Sequence, residues 1–165
     1  MRRLLIGVLG VMVVVSLAGC GGSSTNSVEG LQQKADFWAI DQIEKDFHKA
    51  TTLKDIDLMV GLWAPNATLT IGPGRTATGR DDIRRYWLEQ SVAFKPTNYW
   101  ISDHPAYKVE ITVNGDRGTL HFECHYVDAV TAAMALVTVA DLDVARINDE
   151  WLITNMVAGS TTLGP

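Results

Sequence analysis

Beyond Pro96 the hydrophobic period of this chain changes from that of a helix to that of a strand, and this switch narrows the available folds more than any other feature. Tyr107, Val109, Ile111 and Val113 alternate with Lys108, Glu110 and Thr112, and Asn114-Gly115 reads as a hairpin turn. The returning run sets Leu120, Phe122, Cys124 and Tyr126 on one face and His121, Glu123 and His125 on the other. Another alternating run, Leu136 to Arg146, turns at Asn148-Asp149 into a last strand from Trp151 to about Val157. Before Pro96 the pattern is helical. Ile40, Ile43 and Phe47 form one stripe of a helix over 35–50, with Lys34, Asp41, Lys45 and His48 on its opposite side. Ile56, Met59, Val60 and Trp63 mark a second helix that Pro65 stops. A short strand, Thr68 to Ile71, turns at Gly72-Pro73-Gly74, and Gly79-Arg80-Asp81-Asp82 opens a third helix bearing Ile83, Tyr86 and Trp87. Helices gathered first and a strand meander later imply an α+β fold, its sheet mainly antiparallel and covered on one face by the helices.

The first 30 residues read differently. Arg2 and Arg3 precede an apolar run, Leu4 to Val15, that is too short for a comfortable membrane span, and small residues follow it. Leu17-Ala18-Gly19-Cys20 resembles the lipobox of bacterial lipoproteins. That resemblance implies a signal peptide over 1–19, cleavage before Cys20, and diacylglyceryl and acyl (palmitate-type) groups on Cys20. It also implies a chain exported and lipid-anchored, facing the periplasm or the cell exterior. Gly21 to Gly30, rich in Gly and Ser, reads as part of a flexible tether over 20–30, leaving a domain over 31–165. With Cys20 acylated, Cys124 is the one remaining thiol of two, so packing rather than an intramolecular disulfide must stabilise the domain. There are 19 Asp and Glu against 14 Lys and Arg, two of the latter lost with the leader, and this acidic balance argues against nucleic acid as a partner.

The element order, with Asp36-Phe37-Trp38-Ala39-Ile40, the run Asp57 to Ala67, Gly79-Arg80-Asp81-Asp82-Ile83 and Ile147-Asn148-Asp149-Glu150-Trp151, resembles the SnoaL-like branch of the nuclear transport factor 2-like superfamily over about 35–157. The resemblance implies a cone in which a curved sheet wraps the N-terminal helices and encloses a pocket. It also implies a choice among polyketide cyclases, dehydratases, isomerases, hydrolases and members without chemistry. The dehydratase-like members use an acid near the end of the first helical region and two strand histidines. Approximate matching puts Thr52, Tyr99 and Val137 at those places, so that set is absent.

Two functions follow as expectations. The first is a binding module whose pocket holds a small hydrophobic ligand, or whose surface holds a protein partner, without catalysis. The second is a cofactor-independent cyclase, isomerase or dehydratase in which Asp36, on the apolar stripe of the first helix, serves as general base; the alternative role for Asp36 is an N-cap. The pocket is expected to draw on Trp38, Trp63, Tyr86, Trp87, Tyr99, Tyr107, Phe122, Tyr126, Asp128 and Asn155. Cys124 reads as a small buried hydrophobe. No cofactor and no metal is expected. About the expected hairpin, Lys108 falls beside His121 and His104 beside His125, with His121 near Asp143 and Glu123 near Asp141. This polar outer face is read as solvated or as the surface of a homodimer.

Overall fold

The computed structural model describes residues 24–102 and 106–162, with side chains described from Val28 to Gly159. Cys20, the leader and His104 lie outside the described residues. A 30-residue helix, α1 (Ser24–Leu53), is followed by α2 (Ile56–Gly61), β1 (Trp63–Ile71), β2 (Thr76–Thr78) and α3 (Gly79–Arg85). A π-helical turn, Tyr86–Gln90, extends α3. The sheet continues with β3 (Trp100–Ile101), β4 (Tyr107–Asn114), β5 (Arg117–Asp128), β6 (Met134–Ile147) and β7 (Glu150–Thr162). Strands run in the order β2-β1-β7-β6-β5-β3, with β4 also pairing β5. All these pairs are antiparallel except β1 with β7.

α1 begins at Ser24, inside the segment expected to be a flexible tether. A helix anchored by a packed segment extends outward at the cost of one residue at a time, without a second nucleation, and Ser24 to Gly30 holds no proline to stop it. Asp36 therefore lies well inside the helix and is not its N-cap. The packed part of α1 presents Ile40, Ile43, Phe47 and Ala50 to the inner sheet residues Leu120, Phe122, Leu142, Val144, Ile153 and Met156 in one buried core. α2 is capped by Asp55, whose carboxylate accepts the N–H of Leu58 at 2.9 Å.

The hairpin register differs from the sequence expectation by two residues. Asn114 pairs with Arg117, so Gly115 and Asp116 form the turn, with Gly115 at φ 60° in the position that needs positive φ. This shift sets Glu110, not Lys108, opposite His121; separately, the β5–β6 register also lies two residues from its expectation and places His121 opposite Asp141 and Glu123 opposite Val139. The Asn148-Asp149 turn matches its expectation, both residues having positive φ, 51° and 66°.

Two β-bulges decide which residues face inward. In β4 the register slips between Tyr107 and Glu110, where Lys108 has φ 51°, so Tyr107 comes opposite Glu123 on the outer face. In β7 it slips between the partners of Asp143 and Val144, so Ile153 faces in, Asn155 faces out and Met156 faces in. An inserted residue reverses the alternation of every side chain beyond it.

A candidate binding cavity

At the end of the cone where α1 finishes, the sheet and the α3 extension leave a cavity of about 250 Å³. Phe47, Leu69, Trp87, Trp100, Tyr126, Leu136 and Met156 give it aromatic and aliphatic walls. Arg75, Tyr86, Gln90, Ser91 and Thr138 supply polar groups. The π-helical turn places Tyr86, Trp87 and Gln90 on its rim and wall, and Trp87 packs edge-on against Phe47, centroids 5.5 Å apart. The indole N–H of Trp87 is buried and has no hydrogen-bond partner in the protein. A buried donor without an acceptor is costly, and a polar atom of a bound molecule can satisfy it. Burial pushes the Tyr86 hydroxyl above its usual range, against a smaller opposing effect of Arg75. It therefore stays protonated as a donor at neutral pH.

Behind Tyr126 lies a buried polar cluster that the sequence reading missed. Glu44 Oε1 accepts the backbone N–H of Ala106 at 2.7 Å and lies 3.1 Å from Nδ1 of His48, one turn further along α1. The approach is off the N–H direction, so the contact is an ion pair rather than a directed hydrogen bond, and neither ring nitrogen has an aligned partner. Burial pushes His48 down, but Cys124 and Glu44 outweigh it and raise its pKa to about 9. Sγ of Cys124 is 2.8 Å from Oγ of Ser102, whose backbone N–H is accepted by Thr52 Oγ1 at 2.8 Å. Burial, then Cys124, holds Tyr126 well above the usual phenol range. Cys124 is thus buried as expected but set among polar groups. His48 is buried against Phe47 and Phe122 instead of facing solvent. The available signal was the Glu44–His48 spacing of four residues astride Phe47, which places both on the border of the apolar stripe.

Asp36 lies elsewhere. It is eleven residues before Phe47, about 16 Å along the helix axis, and is absent from the cavity wall. Its carboxylate pairs with Nη2 of Arg146 at 2.6 Å and accepts from Gln32 Nε2 at 2.8 Å and Trp151 Nε1 at 3.4 Å. Burial pushes its pKa up, yet the bonds from Arg146, Gln32 and Trp151 prevail and the net shift is downward. A stabilised carboxylate held by three donors is a weak proton acceptor and a strong structural tie.

Of the ten residues expected to line the pocket, Tyr86, Trp87 and Tyr126 do so. Trp63 and Phe122 are fully buried in the core beneath it. Trp38 is 64% exposed on the far side of α1, and Tyr99 is 62% exposed in a loop. Tyr107 stacks on His125 on the outer face, centroids 4.1 Å apart. Asn155 donates to Asp143 at 3.2 Å on that same face. Asp128 accepts the N–H groups of Val130 and Thr131 in the β5–β6 loop, and these backbone bonds hold its pKa down. Thr52, where the resemblance put an acid, is spent on the Ser102 backbone. Val137 pairs with outward-facing His125, while its neighbour Thr138 faces the cavity.

The outer face carries separate ion pairs. His121 meets Asp141 at 2.7 Å, and Lys108 meets Glu123 at 2.6 Å with His125 at 3.5 Å from the same carboxylate. The Lys108 bond holds the Glu123 pKa down. Among the described residues no three His, Cys, Asp or Glu converge as a metal site.

The fold has many solved counterparts. An NTF2-like protein with a cystatin-like fold from Novosphingobium aromaticivorans superposes with a TM-score of 0.68 at 16% identity, covering 84% of this chain and 90% of that one. Hexachlorocyclohexane dehydrochlorinase LinA-type3 from Novosphingobium barchaimii gives 0.63 at 14% identity, covering 82% and 91%. A putative dehydratase of the NTF2-like family from Streptomyces avermitilis gives 0.59 at 13% identity, covering 80% and 99%. Likeness at this level of identity establishes a common architecture. No curated protein matches the sequence significantly. The family model for the SnoaL-like domain matches residues 33–157, and with the cone-shaped α+β fold this makes the chain a member of the SnoaL-like family of the NTF2-like superfamily.

Proposed function

We propose that this protein is an exported lipoprotein, acylated on Cys20, whose SnoaL-like domain binds a small, mostly apolar molecule carrying at least one hydrogen-bond acceptor. The observation that carries the reading is the cavity itself: aromatic walls, a buried Trp87 N–H with no acceptor, and no acid at the place the dehydratase-like members use. A volume of about 250 Å³ lies just below the usual range for ligand pockets, roughly 300–1,000 Å³. The size therefore suits a single-ring compound rather than a polycyclic one. The enzyme alternative built on Asp36 loses support, because Asp36 is tied to Arg146 away from the cavity. The leader supports the anchor: a charged start, a short apolar run and Leu17-Ala18-Gly19-Cys20 in order.

Native mass spectrometry of the membrane-extracted protein tests both halves. The expected spectrum shows a covalent increment of diacylglyceryl and acyl groups that Cys20→Ala lacks, and a non-covalent small molecule released by collisional activation. An unmodified mass at Cys20 overturns the anchor. A bare domain that also fails to bind any of a panel of monocyclic carbonyl compounds and phenols overturns the ligand-carrier reading.

A further inference from the structure

We infer that the solvent-facing side of α1 docks on an anionic membrane surface; this rests on the reading of Cys20 as the lipid anchor. α1 buries the stripe through Asp36, Ile40, Ile43 and Phe47, and at 100° per residue the opposite side carries Leu31, Lys34, Trp38, Lys45 and Lys49. Leu31 is 66% exposed and Trp38 64% exposed, and the three lysines are exposed as well. Asp41, at the edge of the strip, pairs with Lys45. An acidic chain with net charge −5 thus gathers three cations around an exposed indole and an exposed leucine.

This combination fits a lipid headgroup region better than water. Indole partitions to the boundary between headgroups and acyl chains, and lysine stems lie along apolar surface while their ammonium groups reach phosphate. An anionic leaflet attracts such cations within a Debye length. Chain geometry brings the face to the surface. Four residue steps separate Cys20 from Ser24, a reach of at most about 14 Å. From Ser24 to Lys49 the helix runs about 38 Å. A lipid on Cys20 therefore holds the start of α1 near the bilayer, and the lysine strip lets the helix lie along it. The sheet and the cavity then stand on the opposite side of α1. A lipid plus a basic patch is a two-signal attachment.

The test uses the mature lipidated protein reconstituted into phosphatidylcholine vesicles with phosphatidylglycerol, part of the lipid brominated on its acyl chains. Tryptophan emission is expected to be quenched in the parent protein and unquenched in Trp38→Phe. Lys34→Glu with Lys49→Glu, or 0.5 M salt, is expected to reduce the quenching at least twofold. Equal quenching in Trp38→Phe, or none in the parent while the protein still floats with the vesicles, overturns the docking and leaves the anchor standing. Protection of Trp38 through self-association in lipid-free detergent, seen as a dimer mass, also overturns it by assigning the face to a second copy. An unmodified Cys20 mass removes anchor and docking together.

Discussion

Nη2 of Arg146, near the end of β6, lies 2.6 Å from the Asp36 carboxylate in α1, while its Nε reaches Asp116 in the hairpin turn at 3.0 Å and its guanidinium stands 5.0 Å over the Trp151 ring. One side chain thus ties the long helix to β4–β5 and to β6–β7. Asp36→Ala leaves a partly buried guanidinium short of its main partner, and we expect a loss of about 2 kcal/mol in urea unfolding. Because the folded pKa of Asp36 is lowered, its stabilisation is present above the unfolded value near 4 and is lost as pH falls through the folded one. Asp36→Asn should accordingly flatten the acid limb of the stability profile below about pH 4, while ligand retention in the cavity stays as in the parent. Loss of the ligand in Asp36→Asn would place Asp36 in the ligand site, against its separation from the cavity wall.

His48 predicts the opposite slope. Its pKa is raised from the ordinary 6.5 to about 9 by Cys124 and Glu44 against the effect of burial. The stability that this proton contributes is fully present below pH 6.5 and is lost as pH rises through about 9. The parent protein should lose up to about 3 kcal/mol over that window, read as a falling Tm in calorimetry. His48→Gln, which keeps volume and polarity, should remove most of the slope. An unchanged slope in that variant would place the titrating group elsewhere.

Much of the architecture was legible because period is a physical signal. The alternation of Leu120 to Tyr126 identified the buried face of β5, and the Asn148-Asp149 turn was found at its place. Local insertions were not legible. The bulges beside Lys108 and in β7 each add a residue without changing the apparent alternation, and they carried Tyr107 and Asn155 from the expected pocket to the outer face. The buried stripe of α1 was read too narrowly. Glu44 and His48 look like solvent residues in sequence, yet their mutual charge and the Ala106 N–H let them be buried. Tyr86, Trp87 and Tyr126 line the cavity because aromatic residues on the inner phase of helix and strand have little else to face.

At Gly118 the side chain of Ile40 from α1 packs close against the hairpin. A Cβ there would meet the carbonyl oxygen of Thr112 at 2.5 Å, Cδ1 of Ile40 at 3.1 Å and Cγ2 of Val144 at 3.2 Å. The nearest of these is backbone in the paired strand and has no rotamer to escape into. Gly118→Ala should destabilise the domain by about 2 kcal/mol or more in denaturant unfolding. The outer strand β4 should show the first increase in amide hydrogen exchange. A neutral result would mean that β4 yields more readily than its pairing with β5 suggests.

Two substitutions separate the volume of the cavity from its polarity. Thr138 lines the space from β6 and is only half-buried, so Thr138→Phe can turn its ring into the void instead of compressing the core. It should keep the Tm within a few degrees and abolish binding of a phenol probe, followed by the emission of Trp87 and Trp100 on the cavity wall. Tyr126→Phe leaves the volume intact and removes one hydroxyl buried beside Cys124. If the pocket recognises shape and an acceptor for Trp87, phenol binding should weaken less than threefold in Tyr126→Phe. If the Tyr126 hydroxyl instead holds the bound molecule, phenol binding should weaken as strongly in Tyr126→Phe as in Thr138→Phe, although only the latter fills the space.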